Sequence, residues 1–141
     1  MYGVDYAAGS VAASRASNDE LIKAGRVAVA QASVSALPFS GGRFDLVTAV
    51  ETQYFWPDLV NDMKEIRRVL KPSGVLVVIA EAYKDGGNSK AHNAVLTFLG
   101  NGCLSVAEHR DLFAQAGYTE VQVFEERSRK WICVLGRKPP S

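Results

Sequence analysis

Apolar and polar positions change rhythm along the chain, and the changes divide it into alternating strands and helices. Tyr2–Asp5 carries apolar positions that end on a carboxylate, which predicts the tail of a β-strand. Residues 8–24 are helix-prone along a thin apolar stripe, and Gly25 supplies the stop. "RVAVAQ" restores a strand pattern with Val27 and Val29, and "ASVSALPFSGGR" then reads as a loop, broken by Pro38 and by Gly41 and Gly42. Phe44–Val50 is a near-continuous apolar run, expected of a central parallel strand covered on both faces. Leu59, Met63, Ile66 and Leu70 recur at helical spacing, so residues 58–70 form an amphipathic helix. "KPSG" makes a tight turn, and residues 75–82 form a second buried strand.

Beyond residue 83 the pattern loosens, with a short helix expected over 91–99. Ser105 stands three residues before Glu108, the spacing of a reciprocal helix N-cap, and Leu112, Phe113 and Ala116 carry an apolar face to Gly117. "EVQVFE" and "KWICVLGR" are strands joined by a short charged turn. So short a link cannot make a parallel crossover, and the pair must be antiparallel.

With 141 residues, 48% of them apolar and 22% charged, the expectation is a single domain with one core. A formal charge of +1 sets up no field that would draw nucleic acid or an anionic membrane. No segment approaches the roughly 20 apolar residues of a membrane span, and the first residues lack a basic stretch followed by an apolar one. A cytoplasmic protein is expected. Cys103 and Cys133 stand far apart without C-x-x-C or histidine spacing, so neither a metal site nor a disulfide is read from them, and Cys133 is expected to pack within a strand.

In open α/β sheets ligands gather at the carboxyl ends of the strands. Those ends are Asp5 and Tyr6, Ser33 and Val34, Glu51 and Thr52, and the stretch from Glu81 to Lys84. The two oxygens of Asp5 match the two hydroxyls of a ribose diol, although a solvated strand-end acid is the plainer alternative.

Taken in order, "GVDYAAGSV", "ASVSALPF", "RFDLVTAVET", "EIRRVLKPSGVLVVIAEAY" and the terminal hairpin resemble the class I S-adenosylmethionine-dependent methyltransferases, in the branch that acts on small molecules. The resemblance implies an α/β, Rossmann-like fold with a mostly parallel sheet and a C-terminal antiparallel β-hairpin, and S-adenosylmethionine as cofactor. It assigns Asp5 to the ribose and Tyr6 to packing against the adenosine. Ser33 stands where the family has an aspartate for the adenine amino group, so the charge-assisted bond is lost and the serine oxygen or the Val34 backbone must serve. Glu51 and Thr52 match the strand end near the cofactor's methionine part and the acceptor. The family's first strand and glycine-rich turn have no counterpart in these residues, which read as a methyltransferase beginning at its second strand. In family order that strand would lie between Tyr2–Asp5 and Phe44–Val50. At about 4.8 Å between strands its removal leaves a gap of roughly twice that spacing, so the sheet closes up, its first elements move, or another chain covers the edge, as in a homodimer.

For a small-molecule acceptor, Tyr54, Phe55 and Trp56 are expected on one side of a pocket, with Tyr83 and His92 on the other. Methyl transfer needs in-line positioning more than a dedicated base, so His92 as a base is weighed against a plain surface histidine, and His109 is read as structural. Two other readings compete: a non-catalytic assembly module with this fold, and a nicotinamide-dependent dehydrogenase, which lacks support from the "LPF" to "FDLV" spacing and the terminal hairpin.

Overall fold

A computed structural model of the chain describes residues 1–87, 90–100 and 103–140, except for the side chains of His92 and Leu96. It contains two compact units, Met1–Pro38 and Phe39–Ser141.

In the first unit β1 (Tyr2–Asp5) is followed by α1 (Ala8–Ser17), α2 (Asp19–Lys23) and β2 (Ala28–Gln31). β1 and β2 pair in parallel, Tyr2 against Ala28 through Asp5 against Gln31, as a crossover through helix permits. The single helix expected over 8–24 is divided at Asn18. Its side-chain amide donates to the Ser14 carbonyl at 2.8 Å and its backbone N–H to Arg15, a local alternative that ends one helix and starts the next. Gly25 then takes a φ of 70°, the left-handed stop that the sequence calls for.

The second unit holds β3 (Phe44–Val50), α3 (Leu59–Val69), β4 (Leu70–Ala80), α4 (Lys90–Leu99), α5 (Val106–Gln115), β5 (Thr119–Glu126) and β6 (Trp131–Arg137). Its sheet runs in the order β3-β4-β6-β5. β3 and β4 are parallel, while β4 with β6 and β6 with β5 are antiparallel, so the sheet is mixed and the terminal hairpin is as expected. The "KPSG" turn lies inside β4, where the register slips between Phe44 opposite Leu70 and Leu46 opposite Val75. Gly74 is required there, since a Cβ would stand 2.9 Å from the Lys71 carbonyl and 3.1 Å from that of Phe44.

One face of this sheet is dry. Leu76, Val78 and Ala80 of β4 lie opposite Gly136, Val134 and Ile132 of β6, and all are buried. Met63, Ile66 and Val69 of α3 and Leu112 and Phe113 of α5 are buried as well, and the Tyr118 hydroxyl donates to the Met63 carbonyl at 3.0 Å. Asp58 caps α3 by accepting from the Asn61 N–H, and Ser105 and Glu108 form the reciprocal cap of α5.

β3 departs from expectation. It is an edge strand of its sheet, and β1 belongs to the other sheet, so the two have not closed up into one ladder. Nor is β3 covered on both faces: Ala49 points to the dry side, but Leu46 is 56% and Val50 51% exposed on the other. A continuous apolar run reveals that both faces are apolar, whereas coverage depends on which elements lie over each face.

Gly136 marks the tightest packing. A Cβ there would stand 2.9 Å from Phe113 Cε1 and 3.0 Å from Tyr118 Cβ, and closer still to Phe113 Cδ1. Gly136→Ala is therefore expected to destabilise the protein by about 1–3 kcal/mol, the cost of overpacking, read as a lower urea midpoint with an unchanged slope.

Candidate functional site

The parallel pair of the first unit brings Asp5, Tyr6, Ser33 and Val34 to its carboxyl end. Asp5 Oδ1 accepts the Ala7 N–H at 2.8 Å, which fixes the carboxylate at the start of α1 and leaves its second oxygen outside that bond. Gln31, its register partner, donates to the Tyr6 carbonyl at 2.9 Å, and the Tyr6 ring is exposed. The Ser33 hydroxyl accepts the Ser35 N–H at 3.1 Å, an ST-turn that keeps its own proton for another acceptor.

In the second unit the corresponding end is built around Glu51. This residue has a φ of 56°, a left-handed conformation uncommon for a residue with a Cβ, and its N–H still donates to the Ile79 carbonyl at 2.9 Å. The turn aims its carboxylate across to β4, where Oε1 accepts the backbone N–H of Glu81. The Tyr54 hydroxyl accepts the Ala82 N–H at 3.1 Å and, having one proton, can donate either to Glu51 at 3.3 Å or to the Ala82 carbonyl at 3.2 Å. Burial first, and the nearby Glu51 charge as well, push the Tyr54 phenol far above its ordinary range, so it stays protonated and is no base.

These groups floor a cavity of about 420 Å³ together with Glu81 and Ala82. Ala91, Val95 and Leu99 of α4 line it, as do Phe55 and Lys130. Thr52 is exposed beside Glu51, and Trp56 is half-buried and does not line the cavity. Tyr83 is completely buried and donates to Glu125 at 2.9 Å, which ties the end of β4 to β5. The side chain of His92 lies outside the described residues. Sequence reasoning overlooked Lys130, which sits in a turn that reads as merely solvated, and the cavity-facing stripe of α4; the signal for the stripe was the helical spacing of Ala91, Val95 and Leu99.

His109 is buried and donates from Nδ1 to the Ser105 carbonyl at 2.8 Å, while Nε2 has no partner among the described residues. It lines no part of the cavity. Cys103 is the deeply buried cysteine, its Sγ 3.3 Å from the Ala82 carbonyl, while Cys133 is half-buried on β6.

Comparison with known proteins matches the chain to a family. Residues 1–78 match the family described as Methyltransferase domain. An uncharacterized methyltransferase of Bacillus subtilis, YodH, is 32% identical over 93 residues, 65% of this chain and 40% of that protein. The demethylmenaquinone methyltransferase of Lactococcus lactis is 34% identical over 83 residues, covering 59% of this chain and 32% of that protein. Among solved structures, phosphoethanolamine N-methyltransferase 2 of Haemonchus contortus, in complex with S-adenosyl-L-methionine, superposes with a TM-score of 0.82 at 14% identity, over 98% of this chain and 43% of that one. At that identity the likeness concerns the fold. The chain belongs to the methyltransferase domain family and carries its Rossmann-like fold. It spans 14 to 40% of the length of the curated relatives it matches.

Burial holds the His109 imidazole below its ordinary value of 6.5, so the folded protein refuses a proton that the unfolded chain accepts. Stability from this group is complete above pH 6.5 and declines as pH falls below it. Urea unfolding at pH 5.5 and 7.5 should show a loss on acidification of up to about 1.4 kcal/mol that His109→Leu lacks.

Proposed function

We propose that the chain is the ligand-binding part of a methyltransferase that uses S-adenosylmethionine, and that its acceptor is a small molecule held in the cavity over Glu51 and Tyr54. When bound, the cofactor supplies a methyl group activated on a sulfonium sulfur. The observation that carries the reading is the Asp5 carboxylate, fixed by Ala7 at the end of a parallel strand with one oxygen left over. That oxygen suits a ribose hydroxyl, Tyr6 offers an exposed ring beside it, and Ser33 and Val34 offer a hydroxyl and backbone groups for the base. The resemblance to class I methyltransferases assigns Glu51 and Thr52 to the methionine part. The name of one relative, a demethylmenaquinone methyltransferase, supports a small-molecule acceptor.

Within the cavity Tyr54 and Glu51 hold each other and the end of β4, so they orient rather than exchange protons. Glu81 lines the same cavity, its side chain makes no hydrogen bond or ion pair among the described residues, and it accepts a hydrogen bond from the methyl-accepting substrate. No helix among the described residues is long and apolar enough to cross a membrane, and a cytoplasmic setting is part of the proposal.

A second reading, a non-catalytic assembly module that pairs with its own copy, is favoured by β3. This strand presents an unpaired edge in its sheet beside exposed Leu46 and Val50, the kind of edge that invites association.

Titration of the chain with labelled S-adenosylmethionine separates the two. Saturable binding that Asp5→Asn weakens roughly tenfold supports the methyltransferase reading, because the asparagine keeps the oxygen for Ala7 but loses the charge offered to the ribose. No binding at millimolar cofactor, with a dimeric mass by light scattering, overturns it in favour of the module.

A further inference from the structure

Ala91, Val95 and Phe98 fall at positions i, i+4 and i+7 of α4 and so share one face of the helix. Ala91 and Val95 line the cavity, but Phe98, at the end of the same stripe, does not and is 84% exposed. Val95 remains 44% and Phe55 61% exposed, although both belong to the lining. Isolated apolar groups on a surface are ordinary, but here two exposed large ones, Phe55 and Val95, line one cavity and a third, Phe98, extends the helix face that Ala91 and Val95 present to it. The floor has the opposite character, with the Glu51 and Glu81 carboxylates, while Lys130 adds an ammonium to the lining. Charges of both signs suit a neutral hydrogen-bonding head better than a fully ionised one.

We propose that this cavity binds an amphiphile: a hydroxyl head that donates to Glu81, and an alkyl or aryl-alkyl body that lies along α4 and continues past the lining onto Phe98. The assignment rests on the acceptor reading above and gives that acceptor its chemical class. A small polar molecule would leave Phe55, Val95 and Phe98 wet, whereas an apolar tail removes them from water together with itself. The carboxylates also set the direction of binding, with the hydroxyl against Glu81 and the tail along α4, since a hydroxyl taken from water needs a partner and a methylene chain does not.

The test is calorimetric titration of the full chain with 4-ethylphenol, 4-butylphenol and 4-hexylphenol, without cofactor. Affinity should rise roughly tenfold from ethyl to hexyl, a partial share of what complete burial of the added methylenes would give. Phe98→Ser should compress that rise to less than threefold, and Glu81→Gln should weaken all three ligands alike by severalfold. Phe124→Ser, which removes an exposed apolar ring on β5 away from the cavity, should leave the rise intact and so exclude general surface adsorption. A series that is flat in the wild type, or whose slope survives Phe98→Ser, overturns the proposal. So does Phe98→Ser converting a dimer to a monomer, because the ring would then belong to a protein interface. Cofactor titration stands apart from these outcomes: phenols that bind as expected without cofactor binding uphold the amphiphile site and sink the methyltransferase reading, whereas cofactor binding with a flat phenol series does the reverse.

Discussion

The cavity floor depends on how the carboxyl ends of β3 and β4 are joined. A parallel ladder ends without a hairpin, so the last N–H and carbonyl groups must find side-chain partners or water. Here Glu51 accepts the N–H of Glu81 and the Tyr54 hydroxyl takes that of Ala82, so the two successive donors just past β4 are satisfied by side chains that follow β3. Reaching them requires Glu51 to hold a left-handed backbone, and strain of that sort persists where surrounding bonds over-determine it. With Tyr54 protonated and Glu51 engaged, Glu81 is the carboxylate of this cavity that makes no such bond among the described residues.

The sheet behind this floor has two unlike faces. On one, the β4 and β6 side chains are sealed beneath α3 and α5, and Gly136 lets Phe113 lie directly on the strand. On the other, Leu46 and Val50 stay open. The ion pairs around the unit, Lys71 with Asp45 and Arg137 with Glu120 among them, are largely exposed and add little to stability. Lys84 is different in kind. Its ammonium holds Glu108 below the usual carboxylate range while Glu108 also caps α5, so one exposed contact joins the segment after β4 to the helix that covers the core.

Much of the fold was legible in advance. Helix α3 follows from the spacing of Leu59, Met63 and Ile66, the α5 cap from the Ser105 and Glu108 spacing, and the antiparallel hairpin from a link too short to cross over. Asp5 ends β1, and Glu51 and Glu81 directly follow β3 and β4. What escaped was non-local: the open face and edge of β3, the register slip that folds "KPSG" into β4, the burial of Tyr83 against Glu125, and the arrival of Lys130 at the cavity from a turn 49 positions beyond Glu81.

The amino-acid order by itself determined the type of most elements and caps such as those at Ser105 and Gly25, because periodicity, caps and glycine stops act between residues a few positions apart. It also determined the family, through motifs whose spacing survives without coordinates. Only the tertiary structure decided which apolar faces are covered, which carboxylate is engaged and which is left with none of those bonds, and that α4 turns its stripe toward the cavity. Those outcomes depend on contacts between segments tens of residues apart, and neither hydrophobic period nor local propensity encodes which distant partner a face will meet.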